Sequence, residues 1–169
     1  MPKLPVTAVE VDVLKPFSDG ELLFRRALPI ELNSRGELVP IQLESFSFSK
    51  NVEGAPSFLR GAYAVPGDAI HRACAADKDV SHCFVFQMFV SELPGQIVTG
   101  DGKRRYLFWP VADPIELCGA HCVIGSHLHD DPTRTYSKPS NAVVNEIRVR
   151  VCAALNKRGA VISPTTDQA

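Results

Sequence analysis

The most apolar stretch of the chain is HCFVFQMFV, at residues 82–90. These nine residues include three phenylalanines and two valines. Aromatic and β-branched residues at this density favour a strand that is buried on both faces. We therefore expect this strand to lie at the centre of the core. The side chains that we expect to be almost fully buried are Phe84, Phe86, Phe89 and Val90.

Strand patterns also occur on both sides of this stretch. Residues 96–99 and 106–111 flank Gly100-Asp101-Gly102, whose composition is typical of the turn of a β-hairpin. Upstream, residues 21–28 fit either a strand or a short helix. Between residues 37 and 49, apolar and small polar residues alternate with the period of a strand. Several short strands are therefore predicted.

Two segments carry helix signals. Residues 68–76 are rich in alanine and begin with Asp68, a residue type that favours the N-cap of a helix. Residues 141–156 place apolar side chains at the spacing of one helix face, with Ser140 or Asn141 as the cap. The valines of this second segment also allow a strand.

The order of these elements predicts the fold class. Strands outnumber helices, and they do not alternate with long helices as a βαβ fold would require. We predict a single α+β domain over residues 1–162, built on a mainly antiparallel sheet with two or three short helices. Residues 163–169 are expected to form a disordered C-terminal tail.

Composition limits the classes of partner. The 169 residues hold 18 Lys+Arg against 19 Asp+Glu, a formal charge of −1, which provides no basic surface for a nucleic-acid backbone. No run approaches the roughly 20 apolar residues of a membrane helix, and the start of the chain lacks the apolar core of a signal peptide. We expect a cytoplasmic protein whose partner is a protein or a small polar ligand.

The chain contains five cysteines. An odd number of cysteines, together with the absence of an export signal, argues against a disulfide framework. We expect reduced thiols that pack as small apolar side chains. They are Cys74, Cys83, Cys118, Cys122 and Cys152.

The densest group of potential ligands and proton carriers follows residue 113. Three of the five histidines and two of the five cysteines fall within twelve residues, and thiolate and imidazole are the ligands that zinc prefers. His121 is the central member, because a neutral imidazole can bind a metal or move a proton near pH 7. The group comprises Cys118, His121, Cys122, His127, His129, Asp130 and Asp131.

Whether these groups converge depends on local structure. If residues 113–124 form a helix, Cys118, His121 and Cys122 lie on one face. If they form a strand, the two cysteines are roughly 13 Å apart and His121 points to the other side. We predict no resident metal; a bound metal would take Cys118, His121, Cys122 and His127. Otherwise His121 serves as a structural residue, hydrogen-bonded beneath a surface loop.

A second group combines arginine and serine. Arg25 and Arg26 precede the serine strand Ser47-Phe48-Ser49, and glutamates follow later in the chain. This layout is similar to that of the ADP-ribosyltransferases. The resemblance implies a nucleotide-binding pocket in which the arginine holds phosphates, the serine strand braces the pocket and a glutamate stabilises a cationic sugar. The candidate glutamates are Glu92, Glu116 and Glu146.

Two functional hypotheses follow from the sequence. The first is a small cytosolic interaction or ligand-binding module, including the case of a component of a multi-protein assembly. The second is an enzyme with an Arg/Ser/His pocket. The sequence specifies neither a cofactor nor an oligomeric state. The candidate catalytic residues are Arg26, Ser47, Ser49 and His121.

Overall fold

The computed structural model describes residues 15–43, 56–71, 82–113, 119–130 and 137–164. Within these ranges, seven strands form one sheet in the order β4-β5-β6-β2-β1-β3-β7, and every pairing is antiparallel. The strands are β1 (Leu22–Ala27), β2 (Ser57–Arg60), β3 (Phe84–Phe89), β4 (Gln96–Val98), β5 (Arg105–Ala112), β6 (His121–Leu128) and β7 (Ala160–Ile162).

One face of the sheet, called the α2 face, packs against helix α2 (Asn141–Asn156). The helix begins at Asn141, and of the two predicted cap residues Ser140 is the N-cap, whose side chain accepts a hydrogen bond from the backbone N–H of Val143. Val144 is 8% exposed, and Ile147, Val151 and Leu155 are fully buried against the sheet. The α2 face contributes Leu23, Ala27, Phe58, Phe86, Met88, Phe108, Cys122 and Ile124 to this core.

The opposite face, called the α1 face, carries a smaller apolar cluster and the short helix α1 (Pro66–His71). Asp68 does not cap this helix as the sequence predicts. Its carboxylate accepts a hydrogen bond at 2.8 Å from the N–H of Val65, so Asp68 lies inside the first turn and the helix begins two residues earlier. The buried members of the cluster are Phe24, Leu59, Ala64, Ala69, Val85 and Ala120.

The predicted hairpin is confirmed, because β4 and β5 pair around the Gly100–Gly102 turn. Residues 21–28 form strand β1 rather than a helix. Residues 37–43 form no regular strand: Leu38 makes one isolated bridge, and Pro40–Gln42 is a 3₁₀ turn that starts at a proline. Residues 44–49 of that prediction lie outside the described residues.

The expectation for residues 82–90 is confirmed only in part. They form strand β3, but β3 lies next to the edge strand β7 rather than at the centre of the sheet. Phe86 is fully buried, whereas Phe84, Phe89 and Val90 are half-buried. Strand β7 has three residues, and its pairing with β3 joins Ile162 to Val85 and Ala160 to Phe86.

The described residues therefore form mainly antiparallel sheet with two α-helices. None of the helices in these ranges is long and apolar enough to cross a membrane. Cys83, Cys122 and Cys152 are buried thiols, and Cys74 and Cys118 lie outside the described residues.

Truncation of Phe86 tests how far the α2 face holds the fold together. Phe86 is 0% exposed within the main core, so Phe86→Ala should lower the free energy of unfolding by about 3–5 kcal/mol. Ser91→Ala, at an exposed position just beyond β3, is the control and should stay within about 0.5 kcal/mol of the parent. Denaturant titration measures both values. A Phe86→Ala protein of unchanged stability would show that this side chain is not part of the core.

Glu92 binds the two basic residues that follow α2, and this contact is sensitive to acid. Its carboxylate accepts hydrogen bonds from Arg158 at 2.6 Å and from Lys157 at 3.2 Å. The hydrogen bond from Arg158 is the main cause that lowers the pKa of Glu92 to about 2. A depressed carboxyl pKa stabilises the fold above the pKa of the unfolded chain, and this contribution is lost as the pH falls through the folded value.

The difference in unfolding free energy between the parent and Glu92→Gln should therefore be constant above about pH 4.5 and should shrink towards pH 2. Denaturant titrations at a series of pH values measure this difference. Glu146→Gln, which removes a carboxylate that is paired with Arg150 within α2, is the control for the loss of a surface carboxylate. A Glu92→Gln difference that grows on acidification would rule out this ion pair as its source.

Candidate active site

Strand β2 brings a serine and a histidine to the same face of the sheet. In the pairing of β2 with β6, Ser57 lies opposite Val123 and Leu59 lies opposite His121. Successive side chains of a strand point to opposite faces. Ser57 and His121 therefore share the α1 face.

The side chains of Ser57, His121 and Asp113 form a continuous polar chain. His121 Nε2 lies 3.1 Å from Ser57 Oγ. On the other side of the ring, His121 Nδ1 lies 2.5 Å from the backbone carbonyl oxygen of Asp113 and 3.1 Å from its carboxylate Oδ2. This is the order hydroxyl, imidazole and carboxylate in which a base activates a serine and an acid orients the base.

The oxygens around Nδ1 determine where the proton of the neutral ring sits. The Asp113 carbonyl and carboxylate are both hydrogen-bond acceptors, so Nδ1 must be the protonated nitrogen that donates to them. Nε2 then carries the lone pair and accepts a hydrogen bond from the Ser57 hydroxyl. A general base that takes a proton from Ser57 needs this polarity.

The β5–β6 hairpin fixes Asp113 beside His121. Asp113 directly follows β5, and its backbone N–H donates to the carbonyl oxygen of His121 at 3.0 Å. Its side chain is 31% exposed, whereas that of His121 is 5% exposed. The imidazole is therefore held inside the protein, with a partly solvated carboxylate at its outer side.

Arg26 reaches the same face from the other neighbour of β2. Strand β1 pairs Phe24 with Leu59 on the α1 face, and Arg26, two residues after Phe24, lies on that face as well. Arg26 also pairs with Val85, which belongs to the apolar cluster of the α1 face. Its Nη1 donates to the carbonyl oxygen of Ile70 in α1 at 3.4 Å. The α1 face thus carries an arginine, a serine and a histidine on three adjacent strands.

Apolar side chains share the α1 face with this polar group. Phe24, Leu59 and Ala120 are each no more than 4% exposed, and they belong to the cluster of the α1 face. Charges and hydrogen bonds interact more strongly where burial displaces water, and within this group that applies to the His121 ring.

Several predicted site residues lie elsewhere. Ser47, Ser49 and Cys118 are outside the described residues. Arg25 and Cys122 lie on the α2 face, since each adjoins a residue of the α1 face along its strand. His127 shares the α1 face with His121, but six residues of strand separate them, roughly 20 Å.

Strand β6 therefore separates His121, Cys122 and His127, the described members of the predicted metal-ligand set. Among the described residues, no three His, Cys, Asp or Glu side chains are placed to hold a metal ion. His127 instead packs edge-on against Trp109, with ring centroids 3.8 Å apart. His129 is paired with Asp130 at the exposed end of the hairpin, and Asp131 lies outside the described residues.

The glutamates of the ADP-ribosyltransferase-like layout do not join Arg26 in the described part of the chain. Glu92 is engaged by Arg158 and Lys157. Glu146 lies on α2, across the sheet from Arg26, and pairs with Arg150. Glu116 is outside the described residues.

Two members of the site, Ser57 and Asp113, were not predicted from the sequence to act with His121. Asp113 lies eight residues before His121 and Ser57 lies 64 residues before it. No short motif joins positions so far apart. Only the pairing of β2 with β6 brings Ser57 to the ring.

Comparisons with protein-family models, with curated proteins and with solved structures find no match to this chain.

The hydrogen bonds of His121 predict its tautomer. In nitrogen-detected NMR near neutral pH, Nδ1 of His121 should appear as the protonated nitrogen and Nε2 as the unprotonated one. Ser57→Ala should shift the Nε2 resonance and leave Nδ1 nearly unchanged. A protonated Nε2 in the neutral ring would exclude the proposed role of Ser57 as donor.

Proposed function

We propose that the chain is an enzyme that transfers or hydrolyses acyl groups, with Ser57 as the nucleophile. The observation that carries this proposal is the contact of Ser57 Oγ with His121 Nε2 at 3.1 Å, together with Asp113 on Nδ1. His121 serves as the general base, and Asp113 orients the ring and stabilises its cationic form.

The reaction follows from these contacts. Ser57 Oγ attacks the carbonyl carbon of an ester while its proton passes to His121 Nε2. The bond to the leaving alcohol then breaks, and the alcohol takes that proton from His121. Water, deprotonated by His121, attacks the acyl-serine ester, the carboxylic acid leaves, and the proton returns to Ser57.

Burial of the base supports this assignment. His121 is 4% exposed, and Ser57 is half-buried at the first position of β2. A base that is shielded from water keeps its proton-transfer partner fixed, and a serine at the start of a strand is nearer to solvent than one in its middle. The substrate would approach from the Ser57 side.

The same low exposure of His121 also favours a second candidate function. A fully enclosed imidazole can act as a fixed hydrogen-bonding group, and Arg26, Ser57 and His121 together could bind a small polar ligand without turnover. This second candidate is a ligand-binding module, and we propose the α1 face as its binding surface. The two candidates differ in whether Ser57 forms a covalent bond.

A fluorophosphonate probe distinguishes between them, because it reacts much faster with a serine that a base activates than with an ordinary serine. We expect stoichiometric labelling of the parent protein at Ser57, located by peptide mass spectrometry. His121→Ala should slow labelling by about a hundredfold or more, and Asp113→Asn should slow it less.

Two serine variants complete the experiment. Ser57→Ala should abolish labelling, whereas Ser91→Ala, at an exposed serine beyond β3, should label at the parental rate. Circular dichroism checks that each variant is folded. If the folded parent protein shows no labelling, or carries the label at another serine, the enzyme proposal is wrong and the binding function becomes the better account.

A further inference from the structure

We propose that a cavity at one end of the sheet binds a small monocarboxylate that has an apolar body. The cavity lies where β1 begins and where β2 and β3 end, and its volume is roughly 440 Å³, within the range of small-molecule sites. Gly61, which lines the cavity, directly follows β2, whereas Ser57 is the first residue of that strand, roughly 13 Å away. This inference therefore does not rest on the enzyme proposal.

Much of the surface of the cavity is apolar. Leu22 and Phe89 lie opposite each other in the pairing of β1 with β3, so this part of the surface belongs to the sheet itself. A ligand gains affinity here only if it covers apolar area and removes it from water. The apolar residues that line the cavity are Pro16, Leu22, Ala62 and Phe89.

Lys15 determines which charge the ligand carries. Glu21 also lines the cavity, but both oxygens of its carboxylate accept hydrogen bonds from Arg60, at 2.8 and 2.9 Å, so its charge is compensated. Lys15 is exposed and makes no ion pair within the described ranges. The cavity therefore has the charge of one ammonium group, which one carboxylate matches and a doubly charged phosphate exceeds.

Ser18 provides a second polar group for the same carboxylate. It lines the cavity three residues after Lys15, and a hydroxyl can donate a hydrogen bond to a carboxylate oxygen. The backbone carbonyl of Ser18 accepts from the N–H of Glu21 at 3.0 Å, which fixes the turn that precedes β1. An ammonium and a hydroxyl on one side and apolar side chains on the other define the two ends of the ligand.

Hydrogen bonds hold the two chain segments that border the cavity. The backbone N–H of Lys15 donates to the hydroxyl of Tyr63 at 2.5 Å. The N–H of Gly61 donates to the carbonyl oxygen of Leu22 at 2.7 Å, and a Cβ at position 61 would lie 3.0 Å from that oxygen. Glycine thus permits this close approach. Because these segments are fixed before binding, the ligand loses little affinity to ordering the protein.

An NMR titration tests the site with three probes: 3-phenylpropionate, its neutral analogue 3-phenylpropanamide, and acetate. We expect saturable shifts of the backbone amide resonances of Gly20 and Gly61, which line the cavity, and none at Gly102 in the β4–β5 turn. The carboxylate should bind about fivefold more tightly than the amide, because it alone pairs with Lys15. Acetate lacks the apolar body and should bind about tenfold or more weakly than 3-phenylpropionate.

Two pairs of variants locate the charge and the volume. Lys15→Gln should reduce the ratio of the two phenyl-ligand affinities to about one, whereas Lys103→Gln, at an exposed position of the β4–β5 turn, should leave the ratio unchanged. Ala62→Leu enlarges an exposed residue that lines the cavity and should weaken both phenyl ligands. Ala153→Leu, at an exposed position of α2, should weaken neither. Circular dichroism checks that each variant is folded.

Two results overturn the proposal. If 3-phenylpropionate shifts neither Gly20 nor Gly61 in the folded parent protein, the cavity is not a binding site for this class of ligand. If the preference for the carboxylate is absent from the parent or persists in Lys15→Gln, the pairing of the carboxylate with Lys15 is wrong. Neither result affects the labelling of Ser57, so the failure of this proposal and that of the enzyme proposal are distinguishable.

Discussion

The candidate site depends on the position of strand β2, which has only four residues yet lies in the middle of the sheet between β1 and β6. An ion pair fixes the end of this strand. Arg60 donates to both carboxylate oxygens of Glu21, at 2.8 and 2.9 Å, and its guanidinium stacks on Phe17 at 3.8 Å. A bidentate pair of buried groups tolerates little displacement. The register of β2 is therefore set at Arg60, and Ser57 follows from it.

The register of β2 determines which of its side chains lie on each face of the sheet. A shift by one residue would move every side chain of β2 to the other side of the sheet. Ser57 would then leave His121, and Phe58 would leave the main core. The apolar packing of Phe58 on the α2 face and the polar contact of Ser57 on the α1 face thus depend on the same pairing. The stability of the core and the geometry of the site cannot vary independently.

Arg25, on the α2 face, restrains the backbone of Ser57, whose side chain lies on the opposite face. Its Nη1 donates to the backbone carbonyl oxygen of Ser57 at 3.4 Å, and its Nη2 lies 3.7 Å from the carboxylate of Glu31. Burial lowers the pKa of Arg25, and the charge of Glu31 opposes this effect. A buried arginine is costly unless its partners compensate for lost hydration. Here the compensation includes the backbone of the proposed nucleophile, so Arg25 restrains Ser57 without touching the α1 face.

The sequence predicted the elements that carry local signals and missed those defined by long-range pairing. Strand β3, the β4–β5 hairpin and helix α2 each show a composition, turn or cap that can be recognised within a few residues. Strand β2 is too short for a periodic pattern, and it owes its place to β1 and β6. For the same reason His121 was identified by its residue type, whereas Ser57 and Asp113 were not identified as its partners. Arg26 was identified by its charge, but the described serine that shares its face of the sheet is Ser57 in β2.

The two oxygens that face His121 Nδ1 are the backbone carbonyl and the side-chain carboxylate of Asp113, and they have different roles. The carbonyl oxygen of Asp113 belongs to the backbone at the end of the β5–β6 hairpin, where the N–H of the same residue bonds to the carbonyl of His121. Because the β5–β6 pairing fixes this carbonyl, it orients the ring and keeps the proton on Nδ1 whatever side chain occupies position 113. The carboxylate, at 3.1 Å and partly exposed, adds negative charge that stabilises a protonated ring. In this site the backbone carbonyl of Asp113 orients the His121 ring, and the Asp113 carboxylate stabilises its cationic form. The fold therefore determines that Ser57 donates and His121 accepts in their hydrogen bond.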